Sequence, residues 1–378
     1  MKKSYLMIAA AATLLVVACS KNDTFKSVDT EDAVIGFGYS ASENTTRALA
    51  NQELTMDWFH EIDNAFGVYG YKSSTNIFKN EKVWLESKTE TPGANDTWTS
   101  EYKWKHTTIR FWDKAQTTAY SFYAYAPFAG TNNSTEGANP TFNTTTGFTF
   151  TGLNTIENIK TAGADKAVAT GVENIGWGDS RLDANHSNSP TVQFVFSHIL
   201  SKLSFKIKTD IKRTDDAVVA DRVATFTVTA IDIDFPSATS VQWAETAKAA
   251  VAGTTTYDTY AVKDGTFETS VFSGTQEVTN SAVAIGETFI VTPVNGTVTK
   301  HEFDVQVTYN IAYADGTSET GCVATGTIGT GTAPNIYTPA QNQYYIATIN
   351  IDPAKIEFCV EGVNAWNPVT EPDPVDVE

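Results

Sequence analysis

The chain is poor in the residues and patterns from which most enzyme and metal sites are built. Its 378 residues include three cysteines, three methionines and five histidines. No His-x-x-x-His pair, zinc-spaced cysteine pair, nucleophile elbow, phosphate-binding glycine loop or dinucleotide fingerprint occurs. These absences predict a protein without catalytic activity, metal or cofactor. A carboxylate pair assembled by folding stays open as an alternative, because 44 acidic residues would conceal it.

Positive charge and helical periodicity are also scarce. The 26 Lys and Arg residues leave a net charge of −18, which argues against nucleic-acid binding and against electrostatic docking on anionic lipid. Apolar residues instead repeat with a period of two, as expected for strands with one buried face. Such segments are residues 191–196, 203–207, 224–233, 289–292, 302–309 and 345–351. Alternation without intervening helices predicts an all-β protein made of antiparallel β-sandwiches.

The length has room for two sandwich domains. A stretch rich in Asn, Gly and Ser at residues 171–190 is the candidate boundary, and residues 130–146 and 244–258 are predicted to be surface loops. The predicted domains span residues 48–185 and 186–366. An acidic, proline-rich tail is predicted to follow as an extended segment at 367–378.

The N-terminus has the pattern of a lipoprotein signal peptide. Two lysines precede an apolar run that ends at Val17 and is too short to span a membrane as a helix. The small residue Ala18 precedes Cys19, and a cysteine at that place can be joined to diacylglycerol. We therefore expect residues 1–18 to be removed and acylated Cys19 to anchor the precursor in the outer membrane, because two acyl chains hold a protein stably on a bilayer. An ordinary signal peptide with an incidental cysteine is the alternative.

The other two cysteines leave a disulfide open. Cys322 and Cys359 are 37 positions apart. Export places them in an oxidising compartment where they could bridge, but sequence spacing gives no distance between them.

Several aromatic and glycine-containing motifs occur in a defined order. They are residues 34–39 (VIGFGY), 45–48 (TTRA), 66–71 (FGVYGY), Trp98, 102–104 (YKW), 111–112 (FW), 120–127 (YSFYAYAP) and 196–205 (FSHILSKLSF). From Cys19 to about Trp366, this order resembles the fimbrillin-like family of lipoprotein pilins, also called type V pilins. The resemblance implies two transthyretin-like β-sandwich domains in tandem. It also implies surface export, cleavage by an arginine-specific surface protease and polymerisation with other fimbrial subunits by strand exchange.

The first of these motifs fits a strand that can be displaced. Ile35, Phe37 and Tyr39 fall on one face of a strand, with glycines on the other. Arg47, the first arginine of the chain, stands before Ala48 in a polar context open to a protease. A cut between them would release the lipidated segment 19–47 and leave a groove with unpaired sheet edges. The alternative is an exposed loop in a permanently anchored protein.

A candidate replacement strand lies near the other end, at residues 356–366. Ile356, Phe358 and Val360 alternate with Glu and Cys, and Val363 follows. Donation to the next subunit would pair main chains and build an open head-to-tail filament. The segment is equally compatible with the last strand of the second sandwich. The proline-rich tail after it is a poor strand, which also allows a tip or accessory subunit.

An aromatic cluster allows a second class of function. Its members are Trp84, Trp98, Tyr102, Trp104, Trp112, Tyr120, Tyr123 and Tyr125. Such rings form a domain core when buried and stack on sugars when exposed. We favour the core. The alternative is a surface lipoprotein that binds a host protein or glycan and does not polymerise.

Overall fold

The structure of the protein is a computed structural model. The structure describes residues 34–39, 54, 56–92, 98–113, 119–130, 140–161, 163–177, 179–180, 182–183, 191–209, 224–245, 253–261, 263–294, 301–329, 337–351 and 356–365. The signal peptide, Ala18, Cys19, Arg47, Ala48 and the acidic tail lie outside the described residues. Among those described, no helix is long and apolar enough to cross a membrane.

The described chain is almost entirely β-strand, which confirms the predicted fold class. One short helix, α1, spans Met56–Phe59. The strands are β1 (Gly36–Tyr39), β2 (Ala65–Lys72), β3 (Thr75–Pro92), β4 (Trp98–Lys105), β5 (Tyr120–Ala126), β6 (Thr141–Asn143), β7 (Gly147–Leu153), β8 (Ile156–Asn158), β9 (Ala167–Ala169), β10 (Val172–Ile175), β11 (Leu182–Asp183), β12 (Thr191–Phe194), β13 (Phe196–His198), β14 (Ser201–Lys208), β15 (Ala224–Asp234), β16 (Ser237–Glu245), β17 (Gly253–Ala261), β18 (Thr269–Glu277), β19 (Val283–Val291), β20 (Phe303–Tyr313), β21 (Ser318–Ile328), β22 (Gln343–Ile351) and β23 (Ile356–Ala365).

Two sheets enclose the first core. One has the strand order β1-β12-β11, and the other has the order β13-β9-β5-β2-β3-β4 with β10 paired to β5. Phe37, Phe66, Phe122 and Phe194 belong to the buried cluster formed by both sheets. Each strand contributes alternate side chains, so the period-two pattern produces this core.

A second pair of sheets encloses another core. Their strand orders are β23-β22-β14-β19-β8 and β18-β15-β20-β21. Phe205 and Ile349 come from the first of these sheets, and Ile231 and Val305 come from the second. All four are fully or almost fully buried.

A fifth sheet combines strands from the two halves of the chain. It has the order β17-β16-β7-β6, and Phe150 of β7 lies opposite Trp243 of β16 in the pairing register. Both side chains are buried in a further cluster that also contains Tyr125. The predicted domain limits stay predictions: within the candidate boundary at 171–190, residues 184–190 lie outside the described residues, and with them the predicted limit between 185 and 186.

The structure departs from the predicted strand pattern in three places. Val195 is exposed and divides the predicted strand 191–196, so that β12 and β13 join different sheets. The predicted loops 130–146 and 244–258 were wrong in part, because they contain β6 and much of β17. These strands are rich in polar residues, so main-chain pairing to their neighbours rather than apolar alternation defines them.

Two strand pairs are parallel, β1 with β12 and β14 with β22. The remaining pairs between the described strands are antiparallel, as predicted. Cys322 on β21 is a free thiol.

Candidate functional site

Strand β1 lies between two other segments of the chain. Gly36 to Tyr39 pair in parallel with Thr191 to Phe194 of β12. On the other side, the Ile35 N–H donates a hydrogen bond of 2.8 Å to the Arg110 carbonyl. β1 is therefore the edge strand of its sheet, paired with β12 on one side and held on the other by the contact at Ile35, just before the strand begins. Its loss would expose the main-chain groups of β12 along that edge.

The inward face of β1 fills an aromatic pocket. Ile35 and Phe37 are buried. The Phe37 ring lies with its centroid 5.0 Å from that of Phe78 and 5.5 Å from that of Phe122, both in edge-on geometry. Burial of each large apolar side chain contributes about 1.5–3 kcal/mol. Tyr39 ends the strand, and its side chain lies outside the described part.

His106 holds the main chain of β1 at Ile35. Its Nε2 lies 3.0 Å from the Ile35 carbonyl oxygen, and its Nδ1 lies 3.0 Å from the Thr108 carbonyl oxygen. Burial lowers the pKa of His106, and the Glu81 carboxylate and the two carbonyls oppose this shift only in part. The ring is thus neutral at pH 7 and donates to one carbonyl at a time.

Glu81 fixes the turn that carries His106. One carboxylate oxygen accepts 2.8 Å hydrogen bonds from the backbone N–H groups of Thr107 and Thr108 and from the Thr107 hydroxyl. The other accepts a bond from the Thr108 hydroxyl. Burial works to raise the pKa of Glu81, but these four bonds outweigh it and hold the pKa below its usual value. The carboxylate therefore stays charged near neutral pH and keeps this turn in place.

A second contact fixes the chain beyond the predicted cleavage position. The Leu54 N–H donates a 3.0 Å hydrogen bond to Asp165 Oδ2. His198 Nδ1 lies 2.9 Å from the same oxygen, and both side chains of this pair are buried. Leu54 itself belongs to the core that contains Phe37. Residues 40–53, which include Arg47, therefore connect two fixed points.

The candidate donor segment forms a strand in this structure. β23 pairs antiparallel with β22 from Ile356 opposite Ile351 to Ala365 opposite Gln343. It is the edge strand of its sheet. The side chains of Ile356, Phe358, Val360 and Val363 lie outside the described part, so the donor assignment stays a prediction.

The burial of the described aromatic residues supports a role in the domain core rather than in a sugar-binding surface. Trp112, Tyr120, Tyr123 and Tyr125 are buried. Trp84, Tyr102 and Trp104 are half-buried, and the Trp98 side chain lies outside the described part. In the portion of the chain that the structure covers, no group of three or more His, Cys, Asp or Glu side chains could hold a metal ion.

Four residues of the site were not predicted from the sequence: Glu81, His106, Asp165 and His198. Their partners are distant in the chain; His106 reaches back 71 positions to Ile35, and Asp165 reaches back 111 positions to Leu54. A lone histidine or acid gives no local signal of such a partner.

The second core contains a histidine whose titration should affect stability. His301 is almost fully buried, and burial lowers its pKa to about 4. An unfolded histidine has a pKa of about 6.5, so the unfolded chain binds the extra proton between these values. We expect about 3 kcal/mol of stability, complete above pH 6.5, to be lost as the pH falls to about 4.

Urea denaturation at pH 7 and pH 4.5 measures this loss. In His301→Phe the aromatic ring is kept among Phe235 and Tyr260 and the titration is removed, so most of the difference between the two pH values should disappear. An equal difference in the variant would show that His301 is not responsible.

Comparison with known proteins places this chain beside a fimbrial protein. No protein-family model matches the sequence. The chain is 28% identical over 236 residues to the fimbrium subunit Fim1C of Phocaeicola vulgatus. This alignment covers 57% of this chain and 54% of that protein. The chain thus spans about half the length of this relative. The match confirms the predicted resemblance to the fimbrillin-like family, and the relative's name describes a structural protein and not an enzyme.

Two solved structures overlap with the fold. A fimbrial protein from Bacteroides vulgatus is 18% identical to this chain, with a TM-score of 0.49. The superposition covers 89% of this chain and 100% of that one. A fimbrial assembly protein from Parabacteroides distasonis has 12% identity and a TM-score of 0.37, covering 83% of this chain and 95% of that one. Because both TM-scores are below 0.5, we base the functional proposal on the sequence relative and on the geometry around β1.

Proposed function

We propose that this chain is a subunit of cell-surface fimbriae that is exported as a lipoprotein precursor, cleaved after Arg47 and assembled by donor-strand exchange. The observation that supports this most is the position of β1. It is a short edge strand that pairs with β12 and is contacted on its other side by Arg110 at Ile35, and its inward side chains fill a pocket in the first core. A strand so placed can be exchanged for another extended segment.

The contacts around the predicted cut suit a release step. Leu54 is fixed by Asp165 on one side of residues 40–53, and β1 is fixed on the other. Cleavage after Arg47 would leave Leu54 in the core while β1 loses its covalent link to the domain. β1 would then be held by its main-chain pairing and by the burial of Ile35 and Phe37. Burial of these two side chains contributes about 3–6 kcal/mol together. Interactions of that size permit displacement by a competing strand.

β23 is the proposed donor. As an edge strand it can leave without interrupting the pairing of β22 with β14 on the other side. Entry into the groove of the next copy would make a contact between different surfaces of the two molecules, and such contacts continue as a head-to-tail filament. Other fimbrial subunits are the partners in this scheme.

Anchoring and release complete the proposal. Acylated Cys19 would hold the precursor in the outer membrane, and an arginine-specific surface protease would sever residues 19–47 with the lipid. The mature chain then moves from the membrane into the fimbrium. A host protein or glycan is a further partner only if the subunit occupies an adhesive position.

N-terminal sequencing of two fractions tests this function. Protein sheared from the cell surface with the fimbriae should begin at Ala48 and carry no lipid. Protein in the membrane fraction should begin at Cys19 and be acylated. Finding the whole population membrane-bound and acylated would contradict the proposal and favour the non-polymerising, ligand-binding lipoprotein.

A further inference from the structure

A cluster of polar aromatic side chains lies where β17 meets the second core. Tyr257 and Tyr260 belong to β17, and His301 stands just before β20. The Tyr260 ring centroid lies 5.0 Å from that of Tyr257 and 5.7 Å from that of His301. Tyr337 is a buried member of the second core. Burial raises the pKa of its phenol, and charges on Tyr345, Tyr257 and Tyr260 would raise it further. The hydroxyls of Tyr257, Tyr260 and Tyr337 are therefore close to one another.

The hydrogen bonds of Tyr257 determine which nitrogen of His301 carries the proton. The Tyr257 hydroxyl donates a 2.7 Å hydrogen bond to the Pro293 carbonyl oxygen. Since its one proton is used there, this hydroxyl can only accept from His301 Nε2, which lies 3.4 Å away. The imidazole is neutral at pH 7, because burial lowers its pKa to about 4. Its Nδ1 is therefore an acceptor that needs a donor.

Three buried polar atoms of the cluster have no hydrogen-bond partner among the described residues. They are His301 Nδ1, the Tyr260 hydroxyl and the Tyr337 hydroxyl. Nearly all buried polar groups in native proteins are hydrogen-bonded. One that is not lowers the folding equilibrium constant by about fivefold to 100-fold. Three such atoms in one place point to a bound molecule that satisfies them together.

The charge state of the cluster limits what this molecule can be. Burial raises the pKa of Tyr260 and raises that of Tyr257 to about 12, so both phenols are neutral at pH 7, as are Tyr337 and His301. A neutral cluster offers no opposite charge to an ion, and buried ions need such a partner. The three atoms require one donor and can supply two. Water matches this requirement, because it donates two hydrogen bonds and accepts two.

We propose that one ordered water molecule binds in this cluster, donating a hydrogen bond to His301 Nδ1 and accepting one each from the Tyr260 and Tyr337 hydroxyls. Three hydrogen bonds are typical of a buried water. The water joins β17 to the second core at a place where β17 itself is rich in polar residues. It acts as a structural ligand, and the inference does not depend on the fimbrial function.

A crystal structure of the precursor, at a resolution that shows ordered water, tests the site directly. We expect one water peak within about 2.7–3.2 Å of His301 Nδ1, Tyr260 Oη and Tyr337 Oη, the range of ordinary hydrogen bonds. Electron density without this peak would overturn the proposal. Density in which these atoms bond directly to one another would overturn it as well.

Tyr337→Phe tests the site in solution while keeping the ring. If the hydroxyl binds water, its loss should lower the folding equilibrium constant by about two- to tenfold. If the hydroxyl is dry and unpartnered, its removal should instead raise that constant. Urea denaturation at pH 7 measures the difference, and Tyr260→Phe should behave in the same way. An unchanged or higher folding constant in both variants would overturn the proposal.

Tyr345→Phe is the matched control. The Tyr345 hydroxyl donates a 2.6 Å hydrogen bond to the Thr338 carbonyl and accepts one of 3.3 Å from the Ala340 N–H. Its removal measures the cost of losing a hydroxyl that has known partners in the same core. We expect Tyr337→Phe to change the folding constant in the same direction as this control. An opposite change in Tyr337→Phe would show a dry hydroxyl and would leave the fimbrial function untouched.

Discussion

Arg47→Ala is expected to abolish incorporation of the chain into fimbriae while leaving a folded, lipidated precursor. No other Lys or Arg occurs between Lys26 and Lys72, so an arginine-specific protease has no second position at which to cut. β1 would remain covalently linked to Leu54 and would stay in its groove. Immunodetection in sheared fimbriae and in the membrane fraction measures the result, with all of the variant expected in the membrane.

Arg110→Ala is the matched control for this prediction. Arg110 is exposed and touches β1 through its carbonyl, which the substitution retains. This variant should assemble normally. Normal fimbriae built from Arg47→Ala would contradict the activation scheme, and assembly of Arg47→Lys would indicate a protease of broader basic specificity.

Asp165→Ala is expected to cause the largest loss of stability. The substitution removes the carboxylate that lies 2.9 Å from His198 Nδ1, and with it the acceptor of the Leu54 N–H. Leaving a buried polar group without its hydrogen-bond partner costs about 1–3 kcal/mol. Urea denaturation of the precursor at pH 7 should show a loss of this size.

Asp165→Asn separates charge from hydrogen bonding in this prediction. Its amide oxygen can still accept from Leu54, so faster hydrogen exchange at the Leu54 amide is expected mainly in the alanine variant. A loss below about 1 kcal/mol in Asp165→Ala would show that the buried contact does not hold this segment, since surface-like substitutions fall in that range.

Local features of the sequence were sufficient for the fold class. Residues 203–207 and 224–233 alternate apolar and polar side chains, and both form strands with one buried face. β17 escaped prediction because Gly253–Ala261 is largely polar, and pairing with β16 defines it. Val195 is exposed because the chain passes there from one sheet to another. The alternating pattern of residues 191–196 alone does not show this change of sheet.

The sequence by itself determined the all-β architecture and the face on which Ile35 and Phe37 lie, because alternation acts over a few neighbouring residues. Only the tertiary structure decided which segments flank β1 and that His106, 71 positions away, contacts the Ile35 carbonyl. It also decided that Asp165 joins Leu54 to His198. Strand register and buried polar pairing arise from packing between distant parts of the chain, so they cannot be predicted from a local sequence pattern.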